Sequence, residues 1–372
     1  MSESMRFLRN VLGKATLLFV AVNLLFATTD PLSFLGNLSL YNGPIPGRQR
    51  IPFGEEPDKA YNLSLNSLEA MFASHELTAG AKPVDEFRVI LIGDSSVWGF
   101  LLENQDTLSA QLNSADLTTP AGHSVRFYNL GYPTISLTKD LLIIDEAMRY
   151  QPDLIIWLVT LESMPHNKQT FTPLVQHNPG RVRALIAEYG LSIDPANPDF
   201  KDLTFLQKTL WGQRRPLADL LRLQLYGFAW GATGIDQYIP AAYTERANDL
   251  PLVTEYYDLE PDFTADAIAF DVLDAGIARA GDVPLLLVNE PMFIADGANS
   301  DIRYNFFYPK WAYNRYLVLM AEQAAVNGWL YADVWQAVSN DEYTNSAIHL
   351  TPAGEVQLAA KLLELIHPLL NP

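Results

Sequence analysis

Residues 89–100 read VILIGDSSVWGF. Four apolar residues run into Gly93-Asp94-Ser95, followed by a second serine, a tryptophan and another glycine. An apolar run this short fits a strand buried on both faces, and its glycine-acid-hydroxyl end marks a tight turn into a helix. Two readings fit the tip of that turn: a serine nucleophile at the edge of a parallel sheet, or an ordinary strand-to-helix connection.

Outward from this stretch, short apolar runs at 88–92, 124–130, 154–159 and 283–288, with a weaker one near 329–332, alternate with helical patterns. Such alternation predicts an α/β fold on a parallel sheet. FTADAIAFDVLDAGIARAG (263–281) has helical spacing at Ile268, Val272 and Ile277 and stops at Gly281. The last helix follows HLTPAG (349–354) and carries Val356, Leu358, Leu362, Leu363 and Ile366. More than a hundred residues separate the third run from the fourth, too many for one crossover helix, so a large insertion is expected at about 165–260. Its middle, LWGQRRPLADLLRLQLYGFAWGATGIDQY (210–238), is rich in Leu, Trp and Tyr, with Arg214, Arg215 and Arg222 interleaved. It fits a membrane-surface segment, a lid over a cleft, or a segment packed on the core.

The amino-terminal stretch MRFLRNVLGKATLLFVAVNLLFATTDP (5–31) sets Arg6, Arg9 and Lys14 ahead of an apolar run at 15–27. Basic residues before an apolar segment mark a terminus kept in the cytoplasm. The run is shorter than the ~20 residues that span a bilayer comfortably, which also fits a signal-peptide core. Leu25 stands where a cleavage site prefers a small residue, which favours an uncleaved signal anchor with the rest of the chain outside. The expected organisation is a cytoplasmic tip and anchor at 1–30, a Pro/Gly-rich connector at 31–85, and a catalytic domain at 86–370. Within the connector, Arg48 and Arg50 fit either lipid headgroups or a solvated linker.

Composition bounds the chemistry. The 372 residues are 49% hydrophobic, enough for a large core, and carry a net charge of −18, which argues against nucleic acid as a partner. The absence of cysteine excludes disulfides and thiolate chemistry, no His or carboxylate spacing suggests a metal, and no cofactor motif stands out.

In a parallel sheet, functional groups collect beyond the carboxyl ends of the strands. There the sequence places Gly93-Asp94-Ser95, then NLGYP (129–133) with Gly131, VTLES (159–163) with Glu162, and VNEP (288–291) with Asn289 and Glu290. His349 in NSAIHLTPAG (345–354) stands just before the final helix. A GDS turn after the first strand, a glycine after the second and a late histidine before a helix resemble, in this order, the SGNH or GDSL-type hydrolase superfamily. The resemblance spans roughly 86–370. It implies a three-layer flavodoxin-like sandwich with a mostly parallel sheet, and hydrolysis or transfer of ester-linked acyl groups. It also implies Ser95 as nucleophile, His349 as general base, and the Ser95 and Gly131 amides as oxyanion donors. The residue logic agrees: a serine hydroxyl is a weak nucleophile until a neighbouring base takes its proton, and an oxyanion needs donors aimed at it.

Two positions depart from the family pattern. The family usually has Asn after the third strand as a further oxyanion donor, where this chain has Glu162, which accepts rather than donates. Either Glu162 turns away or takes another role, or Asn289 or Thr160 donates instead. The triad acid, normally Asp three or four residues before the His, is replaced by Ser346 and Asn345. Asn345 would orient the imidazole through its carbonyl without stabilising the imidazolium; a Ser-His dyad, or help from Asp341 or Glu342, are the alternatives. Other residues have blander readings. His75, His123, His166, His177 and His367 read as loop, surface or helix-end histidines, and Trp98 as packing. The aromatic cluster YNFFYPKWAYNRY (304–316) fits either a sugar-binding rim or a packed helix start.

Two functions are expected from this reading. One is a membrane-anchored, extracytoplasmic serine esterase or O-acyltransferase acting on ester-linked acyl groups, with envelope carbohydrate as substrate or acceptor. The other is a degenerate SGNH-like domain that binds envelope glycan without turning it over.

Overall fold

The computed structural model describes residues 3–45, 47–53, 66–233 and 239–370. Residues 46 and 54–65 of the expected connector and 234–238 of the expected insertion lie outside the described residues. Among the described residues, the α-helices ahead of the sheet are α1 (Glu3–Thr29), α2 (Pro31–Gly36) and α3 (Leu68–Ala73). Strand β1 (Glu86–Ile92) leads through α4 (Ser95–Trp98) and α5 (Leu108–Asn113) to β2 (Ser124–Asn129), and α6 (Leu137–Ala147) returns to β3 (Leu154–Val159). The insertion carries α7 (Pro173–His177), α8 (Pro179–Tyr189), α9 (Phe205–Lys208) and α10 (Arg214–Thr233). Then follow α11 (Phe270–Ala280), β4 (Leu285–Asn289), α12 (Lys310–Asn327), β5 (Leu330–Asp333) and α13 (Pro352–Ile366).

All strand pairs are parallel, in the order β2-β1-β3-β4-β5. The strands read as nearly unbroken apolar runs because both faces are covered. Ile90, Ile92, Ile155 and Trp157 point to the face covered by α6, α11 and α12. Val89, Leu91, Ile156 and Leu158 point to the face covered by α5 and α13. This is the three-layer flavodoxin-like sandwich, and its strand order reverses between β1 and β3. Residues 93–96 and 160–163 emerge at the carboxyl ends of these two strands, the place where such sheets carry their functional groups.

Most expected elements fall within two residues of their predicted bounds. The fourth strand starts at Leu285 rather than at 283, because Pro284 has no amide proton to give the ladder. Ile268 lies ahead of α11 in an isolated bridge to Pro165.

The stretch expected as a connector is more than one. Ile51, Leu68, Met71, Phe72 and Leu77 belong to the main core, and α3 touches α6. Arg50 is not part of a solvated linker, and Arg48 is half-buried. The Arg48 guanidinium lies 5.4 Å from the centre of the Trp230 ring. Arg50 is fully buried over Trp98 at 4.2 Å. At the other end of the chain's amino-terminal region, α1 runs well past the apolar segment on its basic side, and is long and apolar enough to cross a membrane.

Candidate active site

Ser95 opens α4 directly beyond β1. Asp94 caps this helix by accepting the Ser96 amide at 2.8 Å, which leaves the Ser95 amide as one of the unpaired donors of a helix start. The short helix is clamped at its far end: Arg50 Nη1 donates to Gly99 O at 2.9 Å, and Trp98 Nε1 donates to Ile51 O at 2.8 Å. The expected packing role of Trp98 is thus what the geometry shows.

His349 precedes α13, which Thr351 caps through the Gly354 amide. Its Nε2 lies 2.7 Å from Ser95 Oγ, across 254 residues of sequence. Its Nδ1 lies 2.7 Å from Asn345 Oδ1. An amide oxygen only accepts, so Nδ1 carries the proton, and the Nε2 lone pair receives the Ser95 hydroxyl. Burial pushes the His349 imidazole down to about 4, so the ring is neutral near pH 7. Phe100 stacks on it with ring centres 4.7 Å apart and holds its plane. Glu342, one of the other acids offered, receives the Thr351 hydroxyl instead.

Ser96 differs from its neighbour. Its Oγ donates to Glu290 Oε2 at 2.5 Å, away from His349. Burial, and then the neighbouring Asp94, push the Glu290 carboxyl well above its ordinary range. Asp94 is itself raised by burial, against the pull of Lys139 and the Ser96 amide. Lys139 is fully buried, ion-pairs with Asp140 at 2.5 Å, and donates to Gly93 O at 2.8 Å and Tyr132 O at 3.0 Å. It ties the end of β1 to the loop after β2. A Lys-Asp pair inside the apolar stretch SLTKDLLII (136–144) was the only sequence signal for it.

The residues expected as oxyanion or substrate contacts are mostly occupied elsewhere. Gly131 packs so tightly on α4 that a Cβ there would lie 2.5 Å from Trp98 N, which explains the glycine. Its amide donates to Asn129 Oδ1 at 3.0 Å, while Asn129 Nδ2 donates to Val97 O at 2.8 Å. Asn289 is fully buried. Its amide donates to Asp333 at 2.8 Å and to Tyr313 at 3.1 Å, and its oxygen accepts from Tyr316 at 3.0 Å. Both amide protons are spent inside the protein, which leaves Asn289 none to give an oxyanion. The Thr160 hydroxyl pairs with Tyr308 at 2.6 Å.

Glu162 turns away from the nucleophile toward the insertion. Its carboxylate receives the Lys168 ammonium, the Tyr256 hydroxyl at 2.9 Å and the Tyr257 hydroxyl at 2.8 Å. It fastens the two ends of the insertion together instead of facing an oxyanion. Of the aromatic cluster, Tyr308, Tyr313 and Tyr316 are fully buried in the core, while Tyr304, Phe306, Phe307 and Trp311 are half-buried. His75 is buried too, with Nδ1 accepting the Leu77 amide and Nε2 against the carbonyls of Gln49 and Asn129.

No protein-family model matches the chain, and no curated relative matches it in sequence. Solved structures similar to it include a member of the lipolytic G-D-S-L family from Veillonella parvula, at 11% identity and a TM-score of 0.35, covering 75% of this chain and 96% of that one. A carbohydrate acetylesterase from Sinorhizobium meliloti is similar at 10% identity and a TM-score of 0.35, covering 76% and 99%. A catalytic mutant of an acetylxylan esterase from Geobacillus stearothermophilus is similar at 11% identity and a TM-score of 0.38, covering 75% and 94%. Likenesses this distant leave the function to be judged from the chain's own geometry.

Proposed function

We propose that the chain is a membrane-anchored serine esterase or O-acyltransferase of SGNH type, with its sandwich outside the cytoplasm, acting on acyl esters of envelope carbohydrate. One observation carries this reading: the Ser95–His349–Asn345 relay, with 2.7 Å at each step and the imidazole tautomer set for proton abstraction. Ser95 Oγ attacks the ester carbonyl as its proton passes to His349 Nε2. The Ser95 amide stabilises the oxyanion, and the Gly131 amide joins it only by giving up Asn129. The tetrahedral adduct collapses, and His349 returns the proton to the departing alkoxide. Water or a sugar hydroxyl then attacks the acyl-serine, giving its proton to His349, and Ser95 leaves with that proton. Hydrolysis and transfer share the first half of this sequence and differ only in the second nucleophile.

The anchor reading rests on α1, whose basic amino-terminal turns precede its apolar stretch. Envelope carbohydrate is proposed as substrate because a sandwich held outside the membrane by α1 would face the envelope.

A second reading, a glycan-binding domain without turnover, draws support from the occupied Gly131 and Asn289 amides and from the missing triad acid. A fluorophosphonate probe separates the two. The full chain in mild detergent is expected to label, and both Ser95→Ala and His349→Ala to lose labelling. A folded wild-type chain that stays unlabelled would overturn the enzymatic reading and leave the binding one. With labelling established, partition of an acyl group between water and a soluble oligosaccharide distinguishes esterase from transferase.

A further inference from the structure

Helix α10 has two apolar faces, and among the described residues only one is covered by protein. Leu220, Leu223, Gly227 and Trp230 are buried against Tyr41 and α2. Gly227 meets the Tyr41 ring so closely that a Cβ would lie 2.2 Å from it. On another face Leu221, Leu225 and Phe228 recur at the i, i+4, i+7 spacing of one helical stripe and are 60%, 73% and 41% exposed. The stripe does not end at the helix. Gln224 accepts the Leu40 amide at 2.7 Å and donates to Leu38 O at 2.9 Å, which sets the exposed Leu38 and Leu40 beside it. Contiguous apolar surface of this kind marks a site of interaction rather than chance exposure.

The contacts of α1 say what covers it. The Trp211 amide donates to Asn23 Oδ1 at 3.0 Å, and α9 packs against α1. Asn23 lies six residues before the end of α1, within its apolar stretch, so this contact is about 9 Å down the helix from Thr29. When α1 spans a bilayer, the segment touching it there is drawn to headgroup level. The exposed side chains of that segment suit this depth: Phe205, Leu206 and Trp211 are apolar, and tryptophan favours the interface. Charge agrees. Within 205–233, Lys208, Arg214, Arg215 and Arg222 stand against the single acid Asp219, in a chain of net charge −18. A basic helix with an apolar stripe is the pattern of a helix lying in an anionic lipid surface.

We infer that α9, α10 and the segment at 38–40 form a lipid-docking surface, which lays the insertion on the bilayer from which α1 emerges. This rests on the reading of α1 as a membrane span, and the experiment separates the two. The chain has no cysteine, so single replacements label cleanly. Leu225→Cys, Leu18→Cys and Val326→Cys, each carrying an environment-sensitive fluorophore, are reconstituted as the full chain into phosphatidylcholine vesicles containing phosphatidylglycerol. Quenching by nitroxide lipids labelled high on the acyl chain is compared with quenching by aqueous iodide.

The label at 225 is expected to emit at shorter wavelength than that at 326, to be quenched by the shallow nitroxide, and to resist iodide. The label at 18 is expected to be shielded from iodide, and that at 326 fully open to it. A label at 225 as open to iodide as that at 326, with 18 shielded, would overturn the docking surface and leave the anchor standing. Iodide quenching at 18 would overturn the anchor and the docking surface with it. Shielding at 225 without nitroxide quenching would assign the face to protein, a second copy included, and would equally overturn the proposal.

Discussion

Asn345 occupies the place where a carboxylate is expected, and its consequences are local. Its oxygen holds Nδ1–H of His349 at 2.7 Å and so preserves the productive tautomer. It adds no negative charge to offset the imidazolium that the proposed attack would form. In a serine protease whose triad Asp was changed to Asn, turnover fell about 10⁴-fold, largely through the wrong tautomer. Here the tautomer is right, so only the electrostatic part of that loss applies. With burial holding His349 at about 4, the free base persists well into acid, and activity should fall only as pH drops through about 4. Asn345→Asp is expected to move this acid limb upward by about 1 to 3 pH units and to raise the rate at which the probe phosphonylates Ser95. The pH profile of fluorophosphonate labelling reads both. An unmoved limb would mean that residue 345 does not act on the ring.

Among elements, α4 depends on a segment that precedes the sheet. Four residues make a helix too short to hold itself, so its position comes from what grips it. Arg50 does this from beneath, through Gly99 O, Trp98 O and Asn104 Oδ1, with its guanidinium over the Trp98 ring. Arg50→Ala removes charged hydrogen bonds and a buried cation–π contact, and leaves carbonyls unpaired. The expected cost is about 2–4 kcal/mol, seen as a lower melting temperature, with slower labelling of Ser95 as α4 loosens. Unchanged stability would show that the clamp is not what holds the turn. Glu162 plays a comparable part for the insertion, joining Lys168 near its start to Tyr256 and Tyr257 near its end.

Over the whole molecule, buried titratable groups pull stability in opposite directions with pH. His75 is pushed down to about 4 by burial, below its unfolded value of 6.5. The unfolded chain therefore binds more protons between these values, and the His75 contribution is complete above about pH 6.5 and lost as pH falls toward 4. Buried carboxyls such as Asp140, raised by burial to about 6, act in the opposite sense. A comparison with His75→Gln isolates the histidine. The stability advantage of the wild-type chain over this variant should shrink by about 3 kcal/mol between pH 6.5 and 4. Melting the two proteins in detergent across that range measures it. A constant difference would refute the assignment of His75 as a neutral, buried strut.

The strands, the Gly-Asp-Ser turn, the histidine before the last helix, the insertion and the apolar amino-terminal helix were determined by contiguous residues. Burial of a parallel strand writes an unbroken apolar run, and a helix start writes its cap, so each is legible within a dozen positions. The sequence also pointed to Ser95, His349 and Asn345, and tertiary structure set them within hydrogen-bond reach. What only tertiary structure decided was which donor meets which acceptor. Glu162 faces Lys168, Tyr256 and Tyr257, Asn289 spends its amide on Asp333 and Tyr313, Gly131 gives its proton to Asn129, and Arg50 lies under Trp98. Most of these partners lie tens of residues apart or more. A buried polar group must find a partner or lose the free energy of its hydration, and the partner it finds depends on which surfaces the packed core brings together.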